Sequence, residues 1–516
     1  MRATALNFMA AAAILIAVPS QAAWQKATTR HFTFYADDTP EHARAAAIKL
    51  ERFDKVSRLV GRMGDPQPTS GNRVTVFEVP NISSVQKLLG ASGSGIAGFY
   101  RQTAEGTIAV VPRNASYSGY SMGADTIFFH EYTHHLMLQD SSRAYPLWLS
   151  EGDAEMMSTV DFLANGSILV GKSADHRFND LLYGPKMPAK FMMADSSKWS
   201  DEDRAAVYGR GWLMTHYLTF SRQRSGQLEK YMAAIDSGQP SLAAARAAFG
   251  PLDGLDLDAD NYLRQHFLPS ITIATDKSGA PDVSVATLSP AESAAMPWRL
   301  QSKVGVDTNK ARDVLDHLRP IAAANPGSEL IQNALAEAEL DGGDPALAEA
   351  AADRAIIANP ASIEAMVFKG RALETLAKSG KKPATAFAEA RKLFIAANKK
   401  DPENALPLRE FYVSYEEENL APTANAVSAL HYAAALVPQD SDLRMRSVVQ
   451  YLHDKQGKEA RAELTPIAYS PHSGATGVTG RAMIAKLDAG DPAGALAIYE
   501  SDAKKAKAEA DKRKKG

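Results

Sequence analysis

The chain has 516 residues, of which 45% are hydrophobic and 23% are charged, as in an ordinary globular protein of about three domains. Its 57 basic and 60 acidic side chains give a net charge of −3, and this near-neutral balance argues against a nucleic-acid partner. Because the chain contains no cysteine, it can form no disulfide, and an oxidising compartment would leave its fold unaffected.

The first 23 residues have the pattern of a secretory signal peptide. Arg2 supplies the positive charge, residues 10–18 form an apolar stretch, and the small residues at 20–23 suit a cleavage site. The apolar stretch is too short to span a membrane, and no lipobox cysteine follows it. We therefore predict a periplasmic or secreted protein that begins near Trp24 and has no integral membrane span. An uncleaved N-terminal anchor is the alternative.

The hydrophobic pattern between residues 24 and 111 alternates between the periods of strands and of helices. Residues 31–35, 73–79 and 107–111 have the pattern of strands, and residues 40–61 have that of an amphipathic helix. This part of the chain is therefore predicted to form a small mixed domain.

His130, Glu131 and His134 form a His-Glu-x-x-His motif in a predicted helix. Residues four apart on a helix project from the same face about 6 Å apart, so both histidines can present a ring nitrogen to one ion at about 2.0–2.1 Å. Glu131 flanks the ion without binding it, a position that suits a general base. The alternative is a core helix whose histidines hydrogen-bond to carbonyl groups, since the surrounding apolar residues indicate burial.

A second segment, Trp-Leu-Ser-Glu-Gly at residues 148–152, supplies the third candidate ligand. Pro146 is expected to open a new helix, and the loop before it is short enough to return that helix beside the first. Glu151, seventeen residues beyond His134, can then complete a site for one Zn²⁺ ion with an open position for water. A structural zinc site would fill all four positions, and no cysteine is present to do so. Nitrogen and oxygen ligands in this arrangement favour zinc.

The two motifs together, with His130, His134 and Glu151 at these spacings, resemble those of the gluzincin metallopeptidases of the peptidase MA clan, in particular the bacterial peptidase MA-like proteins. The resemblance is strong over residues 125–157 and looser from 24 to about 267. It implies an upstream sheet, whose edge strand lines the cleft, packed against a helical part that carries the metal. We therefore predict an α+β fold.

Three further residues are candidates for roles around the ion. In similar gluzincins, a tyrosine in the region of Tyr208 donates its phenol to the oxyanion of the reaction, a role worth about 3 kcal/mol. A core tyrosine is the alternative. Glu155, one turn after Glu151, could accept the second ring N–H of a ligand histidine, or it could be a solvated helix charge. His135 is turned about 100° away from His134, so we treat it as a structural residue or as a residue that supports a ligand, and not as a ligand itself.

The run at residues 95–100 and the strand at 107–111 precede the metal helix, where similar gluzincins place the edge strand that pairs with an extended peptide substrate. The aminopeptidase branch carries a glutamate in the corresponding strand, which holds the free amine of the substrate. Neither run contains an acidic residue here. The expected activity is therefore that of an endopeptidase on a peptide or protein substrate.

The predicted gluzincin-like metallopeptidase domain covers residues 24–268, and after it the chain changes character. A Ser-, Pro- and Asp-rich stretch at 269–302, with a short strand at 271–273, is predicted to be a domain junction. Residues 303–500 are alanine-rich and helical, and residues 501–516 form a basic tail that is solvated or extends the last helix.

The helical part contains recurring breaks whose prolines are 34, 42 and 36 residues apart. The first spacing is the period of tetratricopeptide repeats, so this part resembles a degenerate tetratricopeptide array of four or five helix pairs. The concave face of such an array binds peptides or proteins; the alternative is a rigid extension that supports the catalytic domain. The breaks are Asn325-Pro326, Asn359-Pro360, Asp401-Pro402 and Val437-Pro438.

These features predict an exported zinc peptidase in which Glu131 is the general base, Tyr208 stabilises the oxyanion and the repeats recruit a protein or peptide. The competing hypothesis is a periplasmic tetratricopeptide scaffold with an inactive or structural zinc site. The presence of Glu131 argues against it, because folding requires no acid at that position. Metal-dependent hydrolysis of a non-peptide ester or amide is a third hypothesis, since a fold and a ligand set do not determine the substrate.

Overall fold

The structure is a computed structural model with an N-terminal sheet and a C-terminal run of helices, in agreement with the predicted α+β class. Of the predicted signal peptide, only residue 23 lies within the described part of the chain. The structure describes residues 23–65, 73–92, 96–114, 123–139, 145–194, 199–274, 281–469 and 474–515.

The N-terminal half alternates strands and helices. Its elements are β1 (Trp24–Thr28), β2 (Phe32–Asp37), α1 (Pro40–Gly61), β3 (Val74–Asn81), α2 (Ile82–Leu89), β4 (Phe99–Thr103), β5 (Gly106–Asn114), α3 (Ala124–Gln139), α4 (Leu147–Ser158), β6 (Asp161–Phe162), β7 (Ile168–Val170), α5 (Phe178–Tyr183), α6 (Ala189–Met192), α7 (Asp201–Phe220), α8 (Gln227–Asp236), α9 (Ser241–Phe249), α10 (Leu252–Leu263), β8 (Ile271–Ile273) and β9 (Ser284–Thr287).

The main sheet has six strands in the order β4-β5-β3-β2-β1-β9. Strands β2, β3 and β5 are parallel neighbours, whereas β4 pairs antiparallel with β5, and β1 pairs antiparallel with both β2 and β9. The strands and the helix predicted between residues 24 and 111 are confirmed, and the helix has the predicted bounds. Strand β4 lies at the edge of the sheet, as the resemblance implied for the run before the metal helix; Gly95 of that run lies outside the described residues.

The predicted junction at residues 269–302 contributes to both sheets of the N-terminal half. Strand β8 confirms the short strand predicted at 271–273 and pairs with β7 in a second sheet of three strands. Strand β9 pairs with β1 at the edge of the main sheet. The chain therefore returns to the first strand of the N-terminal sheet before the helical part begins.

An aromatic layer fixes helix α3 between α1 and the sheet. Phe53 of α1 stacks on Phe129 of α3 with ring centroids 3.8 Å apart, and Phe32 of β2 contacts the rings of Phe128 and Tyr132. All five rings are buried, which confirms the burial that the apolar residues of α3 predicted. Rigid packing of this kind holds the ligand side chains of α3 in place.

The C-terminal half consists of helices that follow one another as pairs. They are α11 (Pro290–Val304), α12 (Thr308–Ala324), α13 (Glu329–Gly342), α14 (Pro345–Ala358), α15 (Ile363–Lys378), α16 (Thr385–Lys400), α17 (Ala405–Glu417), α18 (Ala424–Leu436), α19 (Ser441–His453), α20 (Gly457–Tyr469), α21 (Gly474–Asp488) and α22 (Pro492–Lys515).

The described helices from α11 to α22 form six pairs, so the expected number of four or five was too low. The first pair begins at Pro290, inside the stretch predicted to be a junction, and α22 continues into the basic tail as far as Lys515. Each of the four predicted breaks follows the end of a helix, and its proline comes two residues after that end. The positions of the breaks are therefore confirmed.

One helix of each pair from α11 to α19 faces the hairpin formed by β4 and β5. Helices α11, α13, α15, α17 and α19 line a cavity together with this hairpin, and we call this side of the array its inner face. Ala104, in the turn of the hairpin, is buried in an apolar cluster with Tyr412 of α17 and Leu430 of α18. Glu105, next in the turn, forms an ion pair of 2.6 Å with Arg371 of α15.

None of the helices in the described part of the chain combines the length and the apolar character that a bilayer-spanning segment requires.

Candidate metal centre

The candidate centre lies where α3 and α4 pack side by side. His130 and His134 are one turn apart on α3, and their exposed fractions are 9% and 3%. Glu151 lies in the second turn of α4 and is 2% exposed. Helix α4 begins at Leu147, directly after Pro146. The predicted second helix is therefore confirmed, and its start differs by one residue from the predicted one. A carboxylate buried to this extent requires a positively charged or hydrogen-bonding partner.

Three ligand atoms converge in this place. The Nε2 atoms of His130 and His134 are 3.2 Å apart, and Oε2 of Glu151 lies 3.4 Å from each of them. The three atoms thus form a nearly equilateral triangle. The structure brings together all three residues that the sequence predicted as metal ligands.

The size of this triangle suits a zinc ion. Four ligands at about 2.0–2.1 Å in a tetrahedron around zinc are separated from one another by about 3.3 Å. The observed separations of 3.2–3.4 Å agree with that value. Nitrogen and oxygen donors of this kind also suit other divalent metals, so the geometry supports a metal site without identifying the metal.

Glu155 holds the second nitrogen of His130. Its Oε1 lies 3.2 Å from His130 Nδ1, so the ring can donate that N–H to the carboxylate, as predicted. The same carboxylate accepts a hydrogen bond of 2.6 Å from Arg177 Nη2 and lies 2.7 Å from His176 Nε2. It is 1% exposed, so the alternative of a solvated helix charge is wrong. A carboxylate of this kind fixes the orientation of a ligand histidine.

The second nitrogen of His134 lies near a hydroxyl group. Its Nδ1 is 3.2 Å from Oγ of Ser150, the residue before Glu151. Ser150, His176 and Arg177 were not predicted. Ser150 is part of the Trp-Leu-Ser-Glu-Gly segment, so its place beside Glu151 is a signal in the sequence. His176 and Arg177 belong to a one-turn 3₁₀ helix, which has no periodic pattern in the sequence.

The electrostatics of the centre favour positive charge. Burial disfavours the charged form of His130, but hydrogen bonds to Glu151 and Glu155 outweigh it and raise the pKa of this imidazole to about 10. Burial likewise opposes the charge of Glu151, but His134 and His130 together hold the pKa of its carboxyl group well below its usual range. Two buried carboxylates facing two imidazoles would also stabilise a divalent cation.

Glu131 is partly buried and lies outside the triangle of ligand atoms. Burial is the main reason why the pKa values of Tyr100 and Tyr208 are raised, and the negative charge of Glu131 contributes to both shifts. Glu131 therefore lies near the edge strand β4, which carries Tyr100, and near α7, which carries Tyr208.

Tyr208 lies on α7 and faces the centre. The centroid of its ring is 5.9 Å from that of His130, and the guanidinium of Arg177 lies 4.8 Å from the Tyr208 ring. The side chain is partly buried and packs against the hydrophobic core, so its position agrees with either of its two predicted roles. The structure brings it close to the ligand residues.

His135 is separate from the ligand set. It is fully buried, and its Nε2 lies 2.8 Å from Nε2 of Gln139. Burial, together with the charges of Arg58 and His31, lowers the pKa of His135 to about 3, so the ring is neutral. These contacts agree with a structural residue.

In the described part of the chain, two other groups of side chains have the composition of a metal site, but in each of them an arginine binds one of the acids. Asp54 lies close to His31 and Glu51, and it accepts a hydrogen bond of 2.8 Å from Arg58. In the second group, Glu78 accepts a hydrogen bond of 2.7 Å from Arg113. A guanidinium already supplies the positive charge in both groups, so we assign no metal to them.

No model of a known protein family matches this sequence, and a comparison with curated proteins finds no match either. The interpretation of the centre therefore depends on its motif and on its geometry.

Proposed function

We propose that this chain is a zinc-dependent peptidase of the gluzincin type, with one Zn²⁺ ion held by His130, His134 and Glu151. The observation that supports it best is the triangle of ligand atoms with sides of 3.2–3.4 Å. Two imidazoles and one carboxylate are a ligand set of catalytic zinc sites, which keep a further position for water or substrate. The bound ion supplies a Lewis acid that polarises the substrate carbonyl and acidifies water.

The side chains around the ligands have the chemical properties that hydrolysis requires. Glu131 takes the proton of the attacking water and returns it to the leaving amine, as a general base and then a general acid. Tyr208 donates its phenol O–H to the oxyanion, and its raised pKa keeps it protonated for this purpose. Glu155 keeps the ring of His130 in the orientation that ligation requires.

The substrate in this proposal is an extended peptide or an unfolded protein. Strand β4 has one neighbour in the sheet, β5, so its other edge offers backbone groups for a substrate strand. Its five residues include no acid that would select a free amine, which favours internal cleavage. We also propose export to the periplasm or secretion, on the basis of the pattern in residues 1–23.

The test compares purified wild-type protein with the Glu131→Gln and Glu151→Ala variants. We expect one zinc ion per chain in the wild type and in Glu131→Gln, measured by elemental mass spectrometry, and much less in Glu151→Ala. Cleavage of unfolded casein should fall by about 10²–10⁴-fold in Glu131→Gln, the usual contribution of a general base. A chelator should remove wild-type activity, and added zinc should restore it.

The competing function is that of a scaffold whose repeats bind a partner and whose metal centre is inactive. Glu131→Gln retaining full activity would refute the assigned base. Wild-type protein that binds zinc but cleaves neither casein nor a library of peptides would favour the scaffold, or hydrolysis of a non-peptide substrate.

A further inference from the structure

A cavity of about 690 Å³ lies between the β4–β5 hairpin and the inner face of the helical array. It is separate from the metal centre, because none of the metal ligands lines it. Its walls carry six basic and eight acidic side chains, so the balance of formal charges is negative. A charged ligand would bind most readily to a side chain that has no ion-pair partner within the protein.

All six basic side chains already have partners. Arg101 donates hydrogen bonds to the carbonyl oxygens of Lys303 and Val304, with Nη1 to oxygen distances of 3.2 and 2.9 Å. The other five form ion pairs with carboxylates. These pairs are Lys303 with Glu337 and Glu364, Arg371 with Glu105 and Glu410, Lys378 with Glu417, Arg409 with Glu410, and Arg446 with Glu416.

Glu374 differs from the other acids of these walls. It is 6% exposed and lines the cavity, yet its Oε1 has no hydrogen-bond partner, and no ion pair of its carboxylate is found in the described part of the chain. Burial and the nearby carboxylates Glu410 and Glu417 raise the pKa of Glu374 to about 8, although the charges of Arg371 and Lys378 on the same helix oppose this increase. A buried acid in this condition lacks the partner that such groups normally have.

We propose that the cavity binds a cationic nitrogen group, a primary ammonium or a guanidinium, through the carboxylate of Glu374. An anion would have to displace one of the existing carboxylates from its basic partner. A cation could instead bind Glu374, whose carboxylate forms no ion pair in the described part of the chain. The group can belong to a basic side chain of a peptide or protein, or to a small amine. Both sources offer the same ammonium chemistry.

The test measures binding to the full chain by calorimetry at pH 7, in the Glu131→Gln background so that peptides stay intact. One probe is a capped heptapeptide of glycine and serine with a single central lysine, and its matched control carries norleucine instead. Spermidine is the small-amine probe. The protein variants are Glu374→Gln and a control, Glu389→Gln, which removes one exposed carboxylate from α16.

We expect the lysine peptide to bind and the norleucine peptide to bind at least tenfold more weakly. Glu374→Gln should weaken the lysine peptide at least tenfold, and Glu389→Gln should leave it unchanged. Binding of spermidine with the same dependence on Glu374 would identify a small amine as sufficient, whereas binding of the lysine peptide alone would identify a basic polypeptide segment. No binding of any probe, or equal binding to Glu374→Gln, would overturn the proposal.

A second measurement uses the chain with Glu374 intact. Because the carboxyl group is largely protonated at pH 7 when the cavity is empty, binding of a cation should release up to one proton. Calorimetry in two buffers of different ionisation enthalpy measures this release, which should be absent in Glu374→Gln. The binding test does not depend on catalysis, so its failure and a failure of the proposed peptidase activity are distinguishable.

Discussion

Gly152 of α4 and Gly211 of α7 lie at the point where the two helices touch, and a Cβ atom on Gly152 would overlap the carbonyl oxygen of Gly211. The same atom would also overlap the hydroxyl of Thr215. The absence of side chains at this contact lets α7 approach the helix that carries Glu151. The glycine of the Trp-Leu-Ser-Glu-Gly segment is therefore required by packing beside the candidate metal centre.

Replacing Gly152 with alanine should separate the two helices. We expect the free energy of unfolding to fall by about 2–3 kcal/mol, the usual effect of overpacking, and zinc affinity to fall because Glu151 shifts with α4. Chemical denaturation and zinc titration measure the two effects. The matched control is Gly254→Ala in α10, where a Cβ atom would meet no other atom within 4 Å and should stabilise the helix slightly. Equal effects of the two substitutions would contradict this account of Gly152.

Glu155→Gln tests the support of His130. The variant keeps the shape of the side chain but removes the charge that Arg177 and His130 share, so zinc affinity should fall by about 10–100-fold. Competition with a fluorescent chelator measures this affinity. Asp180→Asn is the control, because Asp180 also contacts Arg177, at 3.4 Å, but is exposed. Unchanged zinc affinity in Glu155→Gln would show that Glu155 does not support zinc binding through His130.

Local patterns predicted much of this molecule, because they depend on interactions between near neighbours. The helix at 40–61 has an amphipathic period and a capping threonine at Thr39, so its bounds are recognisable without any tertiary information. The geometry of a helix likewise places His130 and His134 on one face. At each of the four breaks, the residue before the proline is biased away from helical backbone. Proline alone does not mark a break, because Pro297 and Pro320 lie inside helices.

Contacts between distant parts of the chain were not predictable in the same way. Strand β9 pairs with β1, which lies about 260 residues earlier in the sequence. No pattern in residues 284–287 predicts which strand they pair with. The ion pair of Glu105 with Arg371 likewise depends on how the array folds back on the hairpin. Arg177 reaches Glu155 from a single 3₁₀ turn. This contact also depends on the tertiary fold, so no local sequence pattern predicts it.

Arg371→Met should loosen the β4–β5 hairpin. The substitution removes the partner that the buried Glu410 shares with the more exposed Glu105, while Glu410 keeps its ion pair with Arg409. We expect the free energy of unfolding to fall by about 1–3 kcal/mol. Hydrogen exchange at the amides of β4 should accelerate, and mass spectrometry measures that change directly. Lys378→Met provides the comparison, because its ion pair with Glu417 is exposed and worth about 0–1 kcal/mol. Unchanged exchange in Arg371→Met would show that the array does not hold the edge strand.

Glu374 should make the stability of the protein depend on pH in a particular direction. Burial is the largest cause that raises its pKa from 4.5 to about 8; Glu410 and Glu417 of α17 add to the increase, and Arg371 and Lys378 of α15 oppose it. The folded state therefore binds more protons than the unfolded state between these two pKa values. The contribution of Glu374 to stability is complete below about pH 4.5 and is lost as the pH rises through about 8.

Glu374→Gln removes this dependence without changing the shape of the side chain. We expect the variant to be more stable than the wild type by about 1–3 kcal/mol at pH 8, because a glutamine carries no charge to bury. At pH 5.5 the difference should be much smaller, since the wild-type carboxyl group is then protonated in the folded protein. Urea denaturation at both pH values measures the two differences, with Glu389→Gln as the control that should show neither. A difference that stays constant between the two pH values would mean that Glu374 does not titrate as its burial implies.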